Sequence, residues 1–211
     1  MPARRIYKWP SAKLRRTSEP IEDFVEAKSI ATDLRDTMVA NLGVGLAAPQ
    51  IGISKNILVI QASTMPSLEE SSETKGVCVL INPSYQVIGE EKFTWPEACL
   101  SVEGYSGDVT RHRHIDLSYQ DLSGKWINVR LEDAESGVLQ HESDHLTGRL
   151  FIDLLPRFER MRVLKKLRRK IDRKKREKKE ASKKHLAELR RVASRKKRKK
   201  RPPKKFGKRK K

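Results

Sequence analysis

The segment His141-Glu-Ser-Asp-His145 contains the residue types that most clearly could do chemistry in this sequence. Residues four apart on a helix lie on one face, so both imidazoles could bind one metal ion. Glu142, between them, would stand close enough to act as general base on a metal-bound water. The alternative interpretation is a solvated helix face, because a five-residue pattern with two free positions also arises by chance. The motif therefore predicts a hydrolytic metal site without completing it.

A third metal ligand must come from outside this motif, because catalytic sites of this kind usually take three protein ligands and keep a fourth position for water. One candidate is Asp153, the nearest downstream carboxylate. The other is Cys99 in the segment Glu97-Ala-Cys-Leu-Ser101. A free cysteine is more often a small core residue, which is our interpretation of Cys78. Spacing alone leaves the choice open.

Three separated motifs resemble those of the peptide deformylase family and occur in the family's order. They are Gly43-Val-Gly-Leu-Ala-Ala-Pro-Gln50, Glu97-Ala-Cys-Leu-Ser101 and Gln140-His-Glu-Ser-Asp-His-Leu146, within a weaker similarity over roughly residues 6–155. Two positions depart from the family's pattern. Ala98 stands where the family usually has glycine, and Glu103 stands where many members have proline. The backbone at position 98, which leads into Cys99, is therefore a test of whether the site is intact.

The resemblance implies a metal and a reaction. Cys99, His141 and His145 would bind one divalent metal ion, ferrous iron in this family, with zinc or nickel as alternatives. The reaction would be hydrolysis of the N-formyl group from the initiator formyl-methionine of nascent polypeptides, releasing formate. Glu142 would take a proton from the metal-bound water and pass it to the departing amine.

The resemblance also implies which groups bind the substrate. The Gln50 side-chain amide and the backbone N–H of Leu100 would stabilise the oxygen of the tetrahedral intermediate. The segment formed by Gly43, Val44 and Gly45 would contact the substrate peptide, with the glycines allowing close backbone approach. From the residues alone, Gln50 is equally a surface residue after a proline turn, and the glycines simply make turns.

Two other functions stay open at the level of sequence. An H-E-x-x-H peptidase that cuts internal amide bonds would need neither Cys99 nor Gln50. A ribosome-associated or RNA-binding protein with an inactive site would tolerate the departures at Ala98 and Glu103. Metal content and turnover of a formyl-methionyl peptide distinguish these functions from that of a deformylase.

The elements that must position these residues form an α+β pattern rather than alternating βαβ units. Apolar spacing predicts one helix over residues 21–41, ending at Gly43, and a second over residues 135–147 that carries the motif. Strands are predicted over residues 57–60, 77–81, 85–88, 114–120 and 125–131. We therefore expect mixed or antiparallel sheets packed around a central H-E-x-x-H helix, as in peptide deformylases, followed by a C-terminal helix.

Other polar residues near the motifs receive weaker predictions. Arg111 either pairs with Glu97 and braces the Cys99 loop or forms an exposed ion pair of no consequence. His112 and His114 are predicted to be surface or hydrogen-bonded residues rather than metal ligands.

The charge of the chain changes sign along its length. Residues 1–156 hold 16 Lys and Arg against 22 Asp and Glu, whereas residues 157–211 hold 31 against 5. We predict a catalytic domain over 1–156, a basic amphipathic helix over 157–195 and a disordered Lys/Arg-rich tail over 196–211.

The basic segment predicts a polyanionic partner. For an enzyme acting on nascent chains we expect ribosomal RNA, bound through phosphate contacts, with an anionic membrane surface as the competing partner. Recognition of a DNA sequence is not expected, since Phe206 is the segment's one late aromatic residue. We further expect no transmembrane segment, two reduced thiols, a monomer, and location in the cytoplasm, with an organelle matrix as the alternative.

Overall fold

A five-stranded antiparallel sheet forms the centre of the computed structural model, which describes residues 3–71 and 73–199. Its strands, paired in chain order, are β1 (Gly45–Ala47), β2 (Ile57–Gln61), β3 (Val77–Ala98), β4 (Ser106–Gln120) and β5 (Trp126–Glu132). The helices are α1 (Phe24–Ala40), α2 (Asp133–Leu146) and α3 (Arg157–Lys199). The predicted α+β class, with an H-E-x-x-H helix and a C-terminal helix, is confirmed.

Strand β2 is apolar at four successive positions because both faces of the sheet are covered there. Ile57 belongs to a core cluster that includes Leu34 of α1. Its neighbour Leu58 points the other way and belongs to a second cluster that includes Leu139 of α2. The sheet therefore lies between α1 and α2, and the apolar side of α2 is held against it.

Strand β3 is one strand of 22 residues where the sequence predicted two short ones. Its pairing with β4 shifts register between Ile81 and Ser84 and again between Ile88 and Lys92. Bulges of this kind absorb extra residues without ending a strand, so the breaks in the local pattern at Pro83 were misleading. The prediction of separate strands was wrong, and the consequence is that β3 runs on to the residue before Cys99.

Helix α1 ends in a double hydrogen-bonded cap rather than at the predicted glycine. The backbone N–H of Gly43 donates to the carbonyl of Met38 at 3.0 Å, and that of Leu42 donates to the carbonyl of Val39 at 3.1 Å. This pattern is a Schellman motif, whose left-handed residue is usually glycine. Here that residue is Leu42, with a φ of 53°. The prediction that Gly43 supplies the glycine stop was wrong by one position.

The chain divides into two units after Arg160. Helix α3 extends to Lys199, so residues 196–199 of the segment predicted to be disordered are helical, while residues 200–211 lie outside the described residues. Within the described part of the chain, no helix combines the length and the apolar character that crossing a bilayer requires.

Candidate active site

Cys99, His141 and His145 meet where the end of β3 passes the H-E-x-x-H helix. Cys99 directly follows β3, and the two histidines lie one turn apart on α2. All three side chains are buried, and their ligand atoms lie within 4.8 Å of one another. Sγ of Cys99 stands 3.3 Å from Nε2 of His145. The structure thus brings the three ligands implied by the resemblance together.

Asp153, the other candidate ligand, does not join this cluster. Its carboxylate is paired with Arg15 and accepts a hydrogen bond from Nη2 of Arg160 at 2.9 Å. It also accepts a hydrogen bond from the backbone N–H of Leu150 at 3.0 Å. Asp153 therefore fastens the turn after α2, and the choice left open by the sequence falls to Cys99.

The two histidines of β4 also lie apart from the cluster. The ring nitrogens of His114 stand 3.2 Å from a carboxylate oxygen of Glu91 and 3.3 Å from one of Glu132. The backbone N–H of His112 donates to the side chain of Gln140. Neither residue belongs to a ligand group found among the described residues.

The three side chains fit a divalent cation. Bonds of about 2.0–2.3 Å to a tetrahedral ion place ligand atoms about 3.5 Å apart, close to the observed separation of Cys99 and His145. Burial by itself raises the pKa of the Cys99 thiol. The charge of His145 and hydrogen bonds from both imidazoles outweigh burial and hold that pKa well below 9.0. The lowered pKa favours the thiolate form of Cys99, which is the form that binds metal.

A buried ion network orients His141. Oε2 of Glu97 lies 2.6 Å from Nδ1 of His141, which leaves Nε2 of that ring for the cluster. Arg111 donates to both oxygens of Glu97, at 2.7 and 3.0 Å, and to Asp144 of α2 at 2.7 Å. Burial opposes ionisation of Glu97, but hydrogen bonds from His141 and Arg111 lower its pKa to about 2. Of the two interpretations of Arg111, the buried brace is correct.

Glu142 is buried beside the cluster without a protein partner for one of its oxygens. Among the described residues, its Oε2 accepts no hydrogen bond. Burial raises the pKa of its carboxyl group, and the two histidines partly offset that effect. Gly45 makes room for this side chain, since a β-carbon at position 45 would lie 2.4 Å from Oε1 of Glu142.

The remaining predicted residues line one cleft of about 880 Å³ that reaches the cluster. Gln50 is only 2% exposed, so its interpretation as a surface residue was wrong. Its Oε1 accepts a hydrogen bond from the backbone N–H of Ala47 at 2.8 Å. This bond turns Nε2 toward Sγ of Cys99, at 3.6 Å, and toward Oγ of Ser101, at 3.2 Å. Also lining the cleft are Gly43, Val44, Gly45 and Leu100.

The position at which the family's glycine is replaced shows no distortion. Ala98 ends β3 opposite Ser106, and its methyl group is exposed at the cleft wall. Among the described non-glycine residues, a positive φ occurs at Leu42, Asn82 and Asp133 and not at Ala98. Alanine therefore fits the backbone that leads into Cys99.

Sequence reasoning missed Trp95, which lines the cleft two residues before Glu97. Its Nε1 donates to Oε1 of Glu97 at 3.2 Å. Its ring lies against Gly137 of α2, where a β-carbon would stand 2.7 Å from the indole. An isolated glycine inside a helix pattern is the sequence signal that a close packing partner exists.

An α+β fold that buries a Cys–His–His cluster beside a glutamate on an H-E-x-x-H helix defines a metal-dependent hydrolase. Comparison with known proteins identifies the kind of hydrolase. The sequence matches the polypeptide deformylase family over residues 3–161. It is 37% identical over 171 residues to the peptide deformylase of Bartonella henselae, covering 81% of this chain and 94% of that protein.

Solved structures agree with the sequence comparison. A peptide deformylase from Legionella pneumophila matches with a TM-score of 0.70 and 34% identity, over 82% of this chain and 98% of that one. The Ehrlichia chaffeensis enzyme in complex with actinonin matches with a TM-score of 0.69 and 32% identity, over 81% and 98%. The chain belongs to the polypeptide deformylase family. Its reaction is hydrolysis of the N-formyl group of nascent polypeptides, and a peptidase that cuts internal amide bonds is set aside.

Proposed function

We propose that Cys99, His141 and His145 bind one divalent cation, ferrous iron, and that Glu142 moves the proton in deformylation. The observation that carries this proposal is the buried thiol and two imidazoles within 4.8 Å of one another. The same donors suit zinc and nickel, so iron rests on the family resemblance. When bound, a divalent cation lowers the pKa of water toward about 7 and polarises a carbonyl group.

Glu142 accepts a proton from water at a carboxylate oxygen and returns it to the amine nitrogen as the C–N bond breaks. Its raised pKa suits this exchange, because the carboxyl group must hold the proton between the two transfers. The unpartnered Oε2 supports the same role, since no protein hydrogen bond has to break first.

Gln50 and Leu100 stabilise the negative oxygen that develops on the formyl carbon. The Gln50 amide nitrogen faces the cluster because its own oxygen is fixed by Ala47. The backbone N–H of Leu100 follows Cys99 directly in the same cleft wall. Removing one donor of this kind from other enzymes raises the barrier by about 2.7–4 kcal/mol.

The segment Gly43, Val44 and Gly45 holds the substrate peptide. Strand β1, which begins at Gly45, is an edge strand that pairs with β2. Its other edge offers backbone groups to an extended peptide, a common mode of peptide binding. A peptide added here would run directly past Glu142, which lies against Gly45.

The basic segment brings the enzyme to its substrate. With 31 Lys and Arg against 5 acidic residues, residues 157–211 support binding to ribosomal RNA by phosphate contacts. Such attachment raises the local concentration of nascent chains without changing the catalytic site. The proposal includes a catalytic domain over 1–156, a basic helix that begins at residue 157, a monomeric state and location in the cytoplasm.

The test is formate release from a formyl-methionyl peptide by protein purified anaerobically with iron, zinc or nickel. Glu142→Ala should lower kcat by about 10²–10⁴-fold while the bound metal is retained. Cys99→Ala should lose the metal. Glu135→Ala is the matched control, because this carboxylate lies on the same helix but binds Ser67 instead. Formate release by Glu142→Ala at the parental rate would remove Glu142 from the mechanism.

A further inference from the structure

Leu42 combines two features that are unfavourable in the free protein. Its side chain is 95% exposed, the highest value among the exposed large hydrophobic residues described. Its backbone φ of 53° lies in the left-handed region, where a side chain crowds its own carbonyl group. The Schellman cap that ends α1 requires this conformation and is usually made by glycine or asparagine.

Neither feature is explained by packing. An exposed leucine contributes no burial to the core, and a glycine at this position would adopt the same φ without strain. Backbone strain that persists in a protein is often found where a side chain has to be presented to a ligand. The two observations therefore point to a contact that Leu42 makes only when something is bound.

The position of Leu42 indicates that this ligand is the substrate peptide. Leu42 lines the same cleft as Glu142. It lies three residues before Gly45, the residue that contacts Glu142, so the two ends of this segment are at most about 10 Å apart. Val44, between them, is also partly exposed at 46%. The segment 42–45 thus leads from the proton-transferring carboxylate outward along the cleft, with apolar side chains at its outer end.

We propose that Leu42 binds an apolar side chain at the second or third residue of the substrate and so sets a sequence preference beyond the formyl-methionine. This inference rests on the proposed function, which places the formyl group beside Glu142. An extended peptide advances about 3.3 Å per residue, so the residues after methionine lie alongside positions 44 to 42. Covering the exposed leucine with an apolar side chain then favours binding.

The test compares parent and Leu42→Gly proteins on formyl-Met-Leu-Ala, formyl-Met-Ala-Leu and formyl-Met-Ala-Ala. The parent should prefer one leucyl peptide over the all-alanine peptide by about fivefold or more in kcat/KM, mainly through KM. In Leu42→Gly this ratio should fall toward one. The same variant should melt about 2–4 °C higher, because glycine relieves the strained cap. Val39→Ala is the control, since Val39 is 61% exposed on the same helix and is not among the residues lining the cleft.

The inference would be overturned by a parent with no leucyl preference, or by a Leu42→Gly protein that keeps that preference. A lower melting temperature with equal losses on all three peptides would also do so, because it would make Leu42 a structural residue. Calorimetric binding of the products Met-Leu-Ala, Met-Ala-Leu and Met-Ala-Ala separates this inference from the proposed function. Tighter binding of a leucyl product, lost in Leu42→Gly, supports Leu42 even if no formate is released. Formate release without any leucyl preference supports the function alone.

Discussion

Gly45 lies directly against Glu142: a β-carbon at position 45 would stand 2.4 Å from Oε1 and 2.6 Å from Cδ of that carboxyl group. A contact this short has to move one of the two groups. Because Gly45 is paired to Ile60 in the sheet, the side chain of Glu142 is the part that would give way. The glycine of the first motif is thus a condition for the position of Glu142, the residue proposed to transfer the proton.

Gly45→Ala should therefore lower kcat for formate release by about 100-fold, since displacing a catalytic group by about 1 Å has effects of that size. Metal content should stay at the parental level, because the three atoms nearest to a β-carbon at position 45 all belong to Glu142, which is not a proposed ligand. Ala98→Gly is the control at the same cleft wall, and we expect its kcat to stay within about twofold of the parent. A fully active Gly45→Ala protein would contradict the proposed role of Glu142.

Glu97→Gln should weaken metal binding by about 10–100-fold, as is usual when the hydrogen-bond partner of a metal-binding histidine is changed. The reason is that Oε2 of Glu97 fixes Nδ1 of His141 at 2.6 Å. The measurement is metal affinity in competition with a chelator. Glu91→Gln is the matched control on the same strand, where an exposed carboxylate meets His114. Equal affinities for Glu97→Gln and the parent would refute the orienting role.

Arg111→Met should lower the free energy of unfolding by about 3–5 kcal/mol, because it leaves Glu97 and Asp144 buried without their cation. Arg130→Met removes an exposed pair between Arg130 of β5 and Asp116 of β4 and should cost about 1 kcal/mol or less. Urea denaturation of the two variants measures the difference. Similar losses of unfolding free energy in both variants would mean that burial does not determine the cost of removing the arginine.

Stability should fall at alkaline pH through Cys78 and Tyr119. Burial, reinforced by nearby acidic groups, raises the pKa of Cys78 from 9.0 to about 11 and that of Tyr119 from 10.0 to about 12. Both groups hold their protons more tightly when folded, so the free energy of unfolding declines as pH rises from about 9 toward 12. Tyr119→Phe should show a shallower decline above pH 10. A decline as steep as the parent's would exclude Tyr119 as a cause.

Ribosome binding should depend on the basic segment and on salt. Full-length protein should co-sediment with ribosomes at low salt and be released as salt rises, because phosphate contacts liberate counterions. A protein ending at Met161, the last residue of the family match, should not co-sediment but should keep its formate release. Retained binding by the shortened protein, or binding insensitive to salt, would argue against the proposal. Preferential binding to anionic vesicles would favour a membrane instead.

Local patterns in the sequence were enough to predict several features of this protein. The four-residue spacing of His141 and His145 places both rings on one face of a helix, and α2 was predicted to within two residues at each end. The apolar run containing Cys78 predicted a buried strand. Such features follow from the period of a helix or strand, which depends only on residues close together in the chain.

The resemblance of three motifs to those of peptide deformylases indicated the roles of residues that spacing alone had left open. The resemblance implied Cys99 over Asp153 and an oxygen-stabilising role for Gln50; the fold brings Cys99 to the two histidines and Gln50 to Cys99. Local pattern alone had left each of them with an ordinary alternative, because a single cysteine and a glutamine after a proline have no periodic signature.

The tertiary structure alone decided how distant segments meet. Whether Arg111 is a buried brace or an exposed ion pair depends on β3 running through its bulges to Glu97 and on α2 packing over that end. The place of Trp95 against Gly137, and of Leu42 rather than Gly43 in the left-handed cap, depended on the same packing. Contacts between residues far apart in the chain form only when the whole core closes, so no local pattern records them.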